Sequence, residues 1–267
     1  MRTQKAMHFA DNYLINPTNP VTVNLIGAGG TGNQVLRELA RMNYSLVALG
    51  HAGFQVNLFD GDKVAEANRG RQLFAACETG CYKSAVLVNR VNRFFGTNWK
   101  AVTMPFCTNN LRRLPDNGKA NIFITCVDTV SARFDIATAI QGMSGNQRHT
   151  RSRPMYWMDF GNSKDAGQVI LSTISDIKQP DSEKYRPVAF LPLITEEYKN
   201  LLETQSDNDE PSCSLAEALE KQDLFINSTL ASMGASLLWN LLRQGMTENR
   251  GFFLNLKDFH SQPLKVD

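Results

Sequence analysis

Gly27-Ala28-Gly29-Gly30-Thr31-Gly32 sets three glycines in a G-x-G-x-x-G spacing, directly after the β-branched run Val21 to Ile26 and before the helix formers Asn33 to Arg41. Between a strand and a helix, such a turn presents free backbone N–H groups and the positive end of the helix dipole, which together hold phosphate. The same spacing serves nicotinamide and flavin dinucleotides, or simply a tight turn that needs φ > 0. Charge separates these uses. A triphosphate with its metal needs cations and a carboxylate that a dehydrogenase site does without.

Groups of that kind follow in order. Asp60 ends the run Phe54 to Phe59, where a carboxylate would bond ribose hydroxyls, although it lies farther from Gly27 than the roughly 20 residues usual for that role. Asp62, Asn68, Arg71 and Gln72 come next in one short loop, Lys83 opens a helix after Gly80, and Asp128 follows the run Asn121 to Thr125. Taken singly, Arg71 and Lys83 read as solvated surface charges. Taken with carboxylates at two expected strand ends, they read as a triphosphate site.

Asp60-Gly61-Asp62, Asn68-Arg69-Gly70-Arg71-Gln72-Leu73-Phe74, Gly80-Cys81-Tyr82-Lys83 and Cys126-Val127-Asp128 together resemble the successive nucleotide motifs of the ThiF/MoeB superfamily, to which ubiquitin-activating enzymes belong. Gly161 to Val169 is similar to the segment that passes beside the carrier protein's tail in that superfamily. The resemblance runs over 21–175 and 211–266, and the compact Asp60-Gly61-Asp62 form is most similar to ThiF-like members of bacterial PRTRC gene systems.

That resemblance implies ATP- and Mg²⁺-dependent adenylation of the C-terminal carboxylate of a small ubiquitin-like or sulfur-carrier protein. Gly27, Gly29, Gly30 and Gly32 would line the phosphates and Asp60 the ribose. Asp62 and Gln72 would share in nucleotide binding; Asn68, Arg71 and Lys83 would contact the phosphates, and Asp128 would hold magnesium. It further implies a homodimer, in which Arg2 would reach the partner's ATP site. Two other readings stay open: a nucleotide-binding scaffold without turnover, and an NAD-dependent oxidoreductase.

Many relatives pass the activated carrier to a cysteine thiolate, and a thiol at a helix start is favoured in its charged form. Cys213 precedes Ser214-Leu215-Ala216-Glu217, which fits a capping box. Asp207, Asp209 and Glu210 would raise its pKa, so a thioester role and a loop cysteine without a role both remain. No C-x-x-C pair occurs, so the structural zinc of many relatives is not expected.

These residues require strands that end at one sheet edge. Val21–Ile26, Phe54–Phe59, Lys100–Met104, Asn121–Thr125 and Pro154–Asp159 read as strands, alternating with helices such as Ser84–Phe95. The pattern predicts an α/β fold with a doubly wound, mostly parallel, Rossmann-like sheet and helices on both faces. A single adenylation domain over 1–267 is expected: an N-terminal arm over 1–20 and a crossover loop over 176–213 with a short helix near Glu196 to Glu203. A helix from Ser214 to about Leu242, stopped by Gly245, and small terminal strands at Phe252–Leu256 and Pro263–Val266 complete it.

With 28 basic and 26 acidic side chains the net charge is +2, and no cationic stripe points to nucleic acid or an anionic membrane. No apolar run reaches the roughly 18 residues of a membrane span. Five cysteines and an N-terminus without an apolar core fit a cytoplasmic protein with reduced thiols.

Overall fold

A computed structural model describes residues 4–70, 72–114, 116, 118–143, 151–203 and 222–267. The first strand, β1 (Lys5–Phe9), leads through a short helix, α1 (Asn12–Ile15), into β2 (Val21–Ile26). Then come α2 (Gly30–Ala48), β3 (Phe54–Phe59), α3 (Lys83–Phe95), β4 (Lys100–Val102), α4 (Thr108–Leu111), β5 (Ile122–Thr125) and α5 (Val130–Gly142). The chain continues through β6 (Tyr156–Asn162), β7 (Ala166–Thr173), β8 (Tyr185–Pro187), α6 (Ile194–Glu197) and α7 (Lys199–Glu203). It closes with α8 (Ile226–Gln244), β9 (Met246–Thr247), β10 (Asn249–Asn255) and β11 (His260–Lys265).

Eight strands form the main sheet in the order β11-β10-β7-β6-β5-β2-β3-β4. Strands β4, β3, β2, β5 and β6 run parallel, whereas β7, β10 and β11 add as antiparallel neighbours. Parallel strands are covered on both faces, which is why β2 and β5 read as nearly unbroken apolar runs. On one face, α2, α3 and α8 pack Leu36, Leu39, Val88, Leu230 and Leu241 against Val23 and Leu25. On the other, α5, α6 and α7 pack Ile136, Ile140, Ile194 and Leu202 against Phe123 and Trp157.

The structure differs from three expectations. The stretch Gln222 to Phe225 is not helical, so no helix runs unbroken from Ser214, which itself lies outside the described residues. Asp223 accepts hydrogen bonds from the amides of Phe225 and Ile226 at 2.8 and 3.1 Å, and that local competition with the helix sets its start at Ile226. Its stop is Gly245, in the left-handed region at φ 69°, as the sequence suggests.

The terminal strands expected at Phe252–Leu256 and Pro263–Val266 are longer and belong to the main sheet. Strand β10 pairs β7 from Gly251 to Asn255, and β11 then forms that edge of the main sheet. The stretch read as an N-terminal arm carries β1, which joins β8 and β9 in a second, three-stranded sheet.

Candidate functional site

All five parallel strands end at one sheet edge, and β2 lies between β3 on one side and β5 on the other, so the strand order switches there and a crevice opens. A cleft of about 1710 Å³ occupies it. Gly27, Gly29, Gly30, Asp60, Asp62, Gln72, Lys83 and Asp128 line this one cleft. Eight of the thirteen residues singled out from the sequence therefore meet.

The glycine turn needs its glycines. Gly27 sits at φ 99°, and a Cβ there would lie 2.5 Å from the carbonyl oxygen of Cys126. A Cβ on Gly32 would strike the Gly27 carbonyl, which keeps that buried residue behind the turn and lets α2 start close against β2. Gly30 would collide with Asn227 of α8, whereas Gly29 faces nothing within 4 Å, so the turn is open toward the cleft at that position.

Asp60 shapes this turn directly. Its Oδ2 accepts the Ala28 amide and its Oδ1 the Asp62 amide, both at 2.7 Å. Burial nonetheless outweighs these two bonds and raises its carboxyl above the ordinary aspartate value. Ser84 donates to the Asp60 carbonyl oxygen at 2.9 Å, tying the start of α3 to the same strand end.

Lys83 is buried, and its Nζ meets the exposed carboxylate of Asp62 at 3.0 Å. Gln72 is buried on the cleft wall; its carbonyl takes the Asn33 side-chain amide at 2.7 Å, and its Oε1 has no partner among the described residues. Asn68 lies off the cleft wall, where its side chain accepts the Ala65 amide at 2.9 Å and closes a one-turn 3₁₀ helix. Arg2, Arg71 and Cys213 lie outside the described residues.

Asp128 is exposed beyond β5, in a loop held by residues the sequence did not single out. Arg133 of α5 pairs with Asp159 of β6 at 3.2 Å, both fully buried. Thr125 donates to Asp159 at 2.5 Å and accepts the Trp157 indole N–H at 2.8 Å. Across the cleft, Asn227 accepts from Thr31 and from Asn162, each at 2.7 Å, joining α8 to the glycine turn and to the end of β6. The β6–β7 hairpin lines the far wall with Gly161, Ser163, Lys164 and Gln168, and Phe253 and Leu254 of β10 continue it. Single arginines and asparagines carry no spacing signal, and these pairs join elements tens of residues apart.

Cys107 and Cys126 line the cleft as well. Burial, reinforced by Asp159, pushes the Cys126 thiol well above its ordinary value, so it is a poor nucleophile. Among the described residues no group of three or more histidine, cysteine or acidic side chains could hold a metal, and no helix is long and apolar enough to cross a membrane.

No curated protein matches the chain. Among solved structures it is similar to PaaA (13% identity, TM-score 0.57, covering 92% of this chain and 64% of that one). It is similar also to E. coli MccB (15% identity, TM-score 0.56, 95% and 64%) and to MccB solved with AMPCPP and MccA (16% identity, TM-score 0.55, 92% and 64%). These identities speak for the fold, and the chain spans under two thirds of the length of those structures. A sequence profile of the ThiF family matches residues 18–266, from just before the central strand to the penultimate residue, and this chain belongs to that family.

Proposed function

We propose that this chain uses Mg²⁺–ATP to adenylate the C-terminal carboxylate of a small ubiquitin-like or sulfur-carrier protein. The observation that carries this reading is the cleft itself. Its 1710 Å³ exceeds the roughly 300–1,000 Å³ of an ordinary small-molecule site, leaving room for a second reactant beside a nucleotide. The glycine turn, Asp60 and Lys83 line one end, and the backbone of the β6–β7 hairpin lines the other. MccB, solved with AMPCPP and MccA, is similar in fold and supports a nucleotide beside a small peptide or protein.

In the reaction, a carboxylate oxygen of the carrier attacks the α-phosphorus of ATP. A P–O bond forms there, the α–β bridge breaks, and pyrophosphate leaves. Amides at the start of α2 hold phosphate oxygens, and Lys83 and Arg71 stabilise the charge that develops, while Asn68 braces its loop through its bond to the Ala65 amide. Asp60 fixes the turn through Ala28 and keeps acceptor capacity for the ribose, with Asp62 and Gln72 completing the nucleotide wall. Asp128 fits magnesium, which binds through one or two carboxylates and takes its other ligands from phosphate and water. The ion would neutralise phosphate charge there. Transfer of the activated carrier to a thiolate, in this reading, uses Cys213, which precedes the capping-box sequence Ser214 to Glu217. Arg2 would act across a homodimer, in the cytoplasm.

Thermal unfolding with Mg²⁺–AMPCPP and, separately, with NAD tests the nucleotide part. Ligand at about 100 times its Kd stabilises by about 2.7 kcal/mol. A raised Tm with AMPCPP alone supports the reading, and a raised Tm with NAD alone overturns it.

A further inference from the structure

We propose that Arg133 is the positioning residue for Asp128: it clamps the two carbonyls that flank this carboxylate and so holds it where a nucleotide-bound cation would be met. The inference rests on the nucleotide reading above. Its Nη2 donates to the Val127 carbonyl at 2.7 Å and its Nη1 to the Thr129 carbonyl at 3.3 Å. Those are the neighbours of Asp128 on either side. Nη2 also lies 3.4 Å from the Phe160 carbonyl, so one guanidinium ties the loop after β5 to the end of β6.

Asp159 anchors the clamp. Both of its oxygens face Arg133 Nε, at 3.3 and 3.2 Å, and the Thr125 hydroxyl fixes one of them. Because Thr125 and Asp159 are register partners on neighbouring parallel strands, the anchor is built into the sheet rather than into a loop. The cleft wall makes room for it: a Cβ on Gly161 would lie 3.1 Å from Nη2.

A buried ion pair is a costly way to hold a fold, since apolar replacements are often as stable or more so. What an apolar residue cannot do is present planar, divergent donors to two carbonyls of a ligand-bearing loop. Lysine cannot do it either, being a single point charge on a flexible stem. Partners that orient a metal-binding group in this way are worth about 10–100-fold in metal affinity.

The test uses the full chain, AMPCPP and Mn²⁺ as a spectroscopic probe for magnesium. Mn²⁺ affinity in the AMPCPP complex is read by electron paramagnetic resonance, and AMPCPP affinity is measured separately in EDTA. Arg133→Lys is expected to weaken Mn²⁺ binding by about 10–100-fold, toward the value for Asp128→Asn, with metal-free AMPCPP affinity within about threefold of the parent. Thr125→Val keeps the ion pair but removes the hydroxyl that fixes Asp159. It is expected to lose several-fold in the same direction and serves if Arg133→Lys does not fold. Parent-like Mn²⁺ affinity in a folded Arg133→Lys or Thr125→Val variant overturns the clamp alone. Failure of the parent chain to bind AMPCPP overturns the nucleotide reading and the clamp with it.

Discussion

The side-chain amide of Asn227 stands where a Cβ on Gly30 would have to go, with Nδ2 2.5 Å from that position. Helix α8 therefore seats on the glycine turn, and a larger residue at position 30 requires the Asn227 side chain to shift. Overpacking of this kind costs about 1–3 kcal/mol. Asn227→Ala alone costs about 1–3 kcal/mol by another route, since Thr31 and Asn162 both lose their acceptor. Combined, the two are expected to be less costly than their sum, because the vacated space receives the new methyl group. Urea unfolding of both single variants and the double variant checks this; strict additivity would mean the two residues do not compete.

Asp60 holds two amides with two oxygens, which an asparagine cannot do, since its NH₂ would face one of the N–H groups. Asp60→Asn is expected to lose about 1–3 kcal/mol of stability and most of the affinity for AMPCPP. Calorimetric titration of the folded variant checks the second effect. Parent-like affinity would show that the turn does not depend on the carboxylate.

Lys83 is buried while its partner Asp62 is 73% exposed at the side chain, so the pair contributes under about 1 kcal/mol to stability. Asp62→Asn is expected to leave unfolding nearly unchanged, which urea unfolding checks. Lys83→Met should cost about 10²–10³-fold in adenylation rate. A rate within tenfold of the parent would remove Lys83 from the chemistry.

His8 supplies a pH signature away from the cleft. Its Nδ1 lies 2.6 Å from the Val188 carbonyl, an acceptor only, so Nδ1 carries the proton and Nε2 accepts from Tyr156 at 2.8 Å. Burial depresses its pKa below the ordinary 6.5, outweighing the carbonyl bond. Asp11 and Arg153, themselves paired, are the charged groups beside Tyr156. The unfolded chain takes a proton at 6.5 and the folded chain only lower, so this group's stability is complete above 6.5 and is lost as pH falls below it. His8→Gln is expected to reduce the drop in Tm between pH 7.5 and 5.5. An unchanged drop would assign the acid sensitivity elsewhere.

Local periodicity made much of the frame legible. Val21–Ile26, Phe54–Phe59 and the helix from Lys83 carry their pattern in a few consecutive residues, so both the strand ends and Asp60 fall where expected. Helix α5 was not legible, because Ile136, Ala137, Ala139 and Ile140 crowd it with apolar residues on more than one side and blur the period of a surface helix. Strand β7 is not delimited by its own sequence, since its antiparallel return depends on the turn at Ser163 to Asp165 and on pairing with β10. The ordered spacing places the glycine turn, Asp60, Lys83 and Asp128 together, and all four line one cleft. Arg133 with Asp159, and Asn227 with Gly30, were missed because each pair exists only after distant elements pack. Asn68 shows the converse limit: it sits where the motif puts it, yet its side chain closes its own turn.

The central claim is adenylation of a free carboxylate, and pyrophosphate exchange tests it most directly. The chain is incubated with Mg²⁺–ATP, labelled pyrophosphate and a small ubiquitin-like carrier, supplied once with its free C-terminal carboxylate and once as the C-terminal amide. The account predicts labelled ATP with the carboxylate form and none with the amide. No label with either form, or equal label with both, would contradict it.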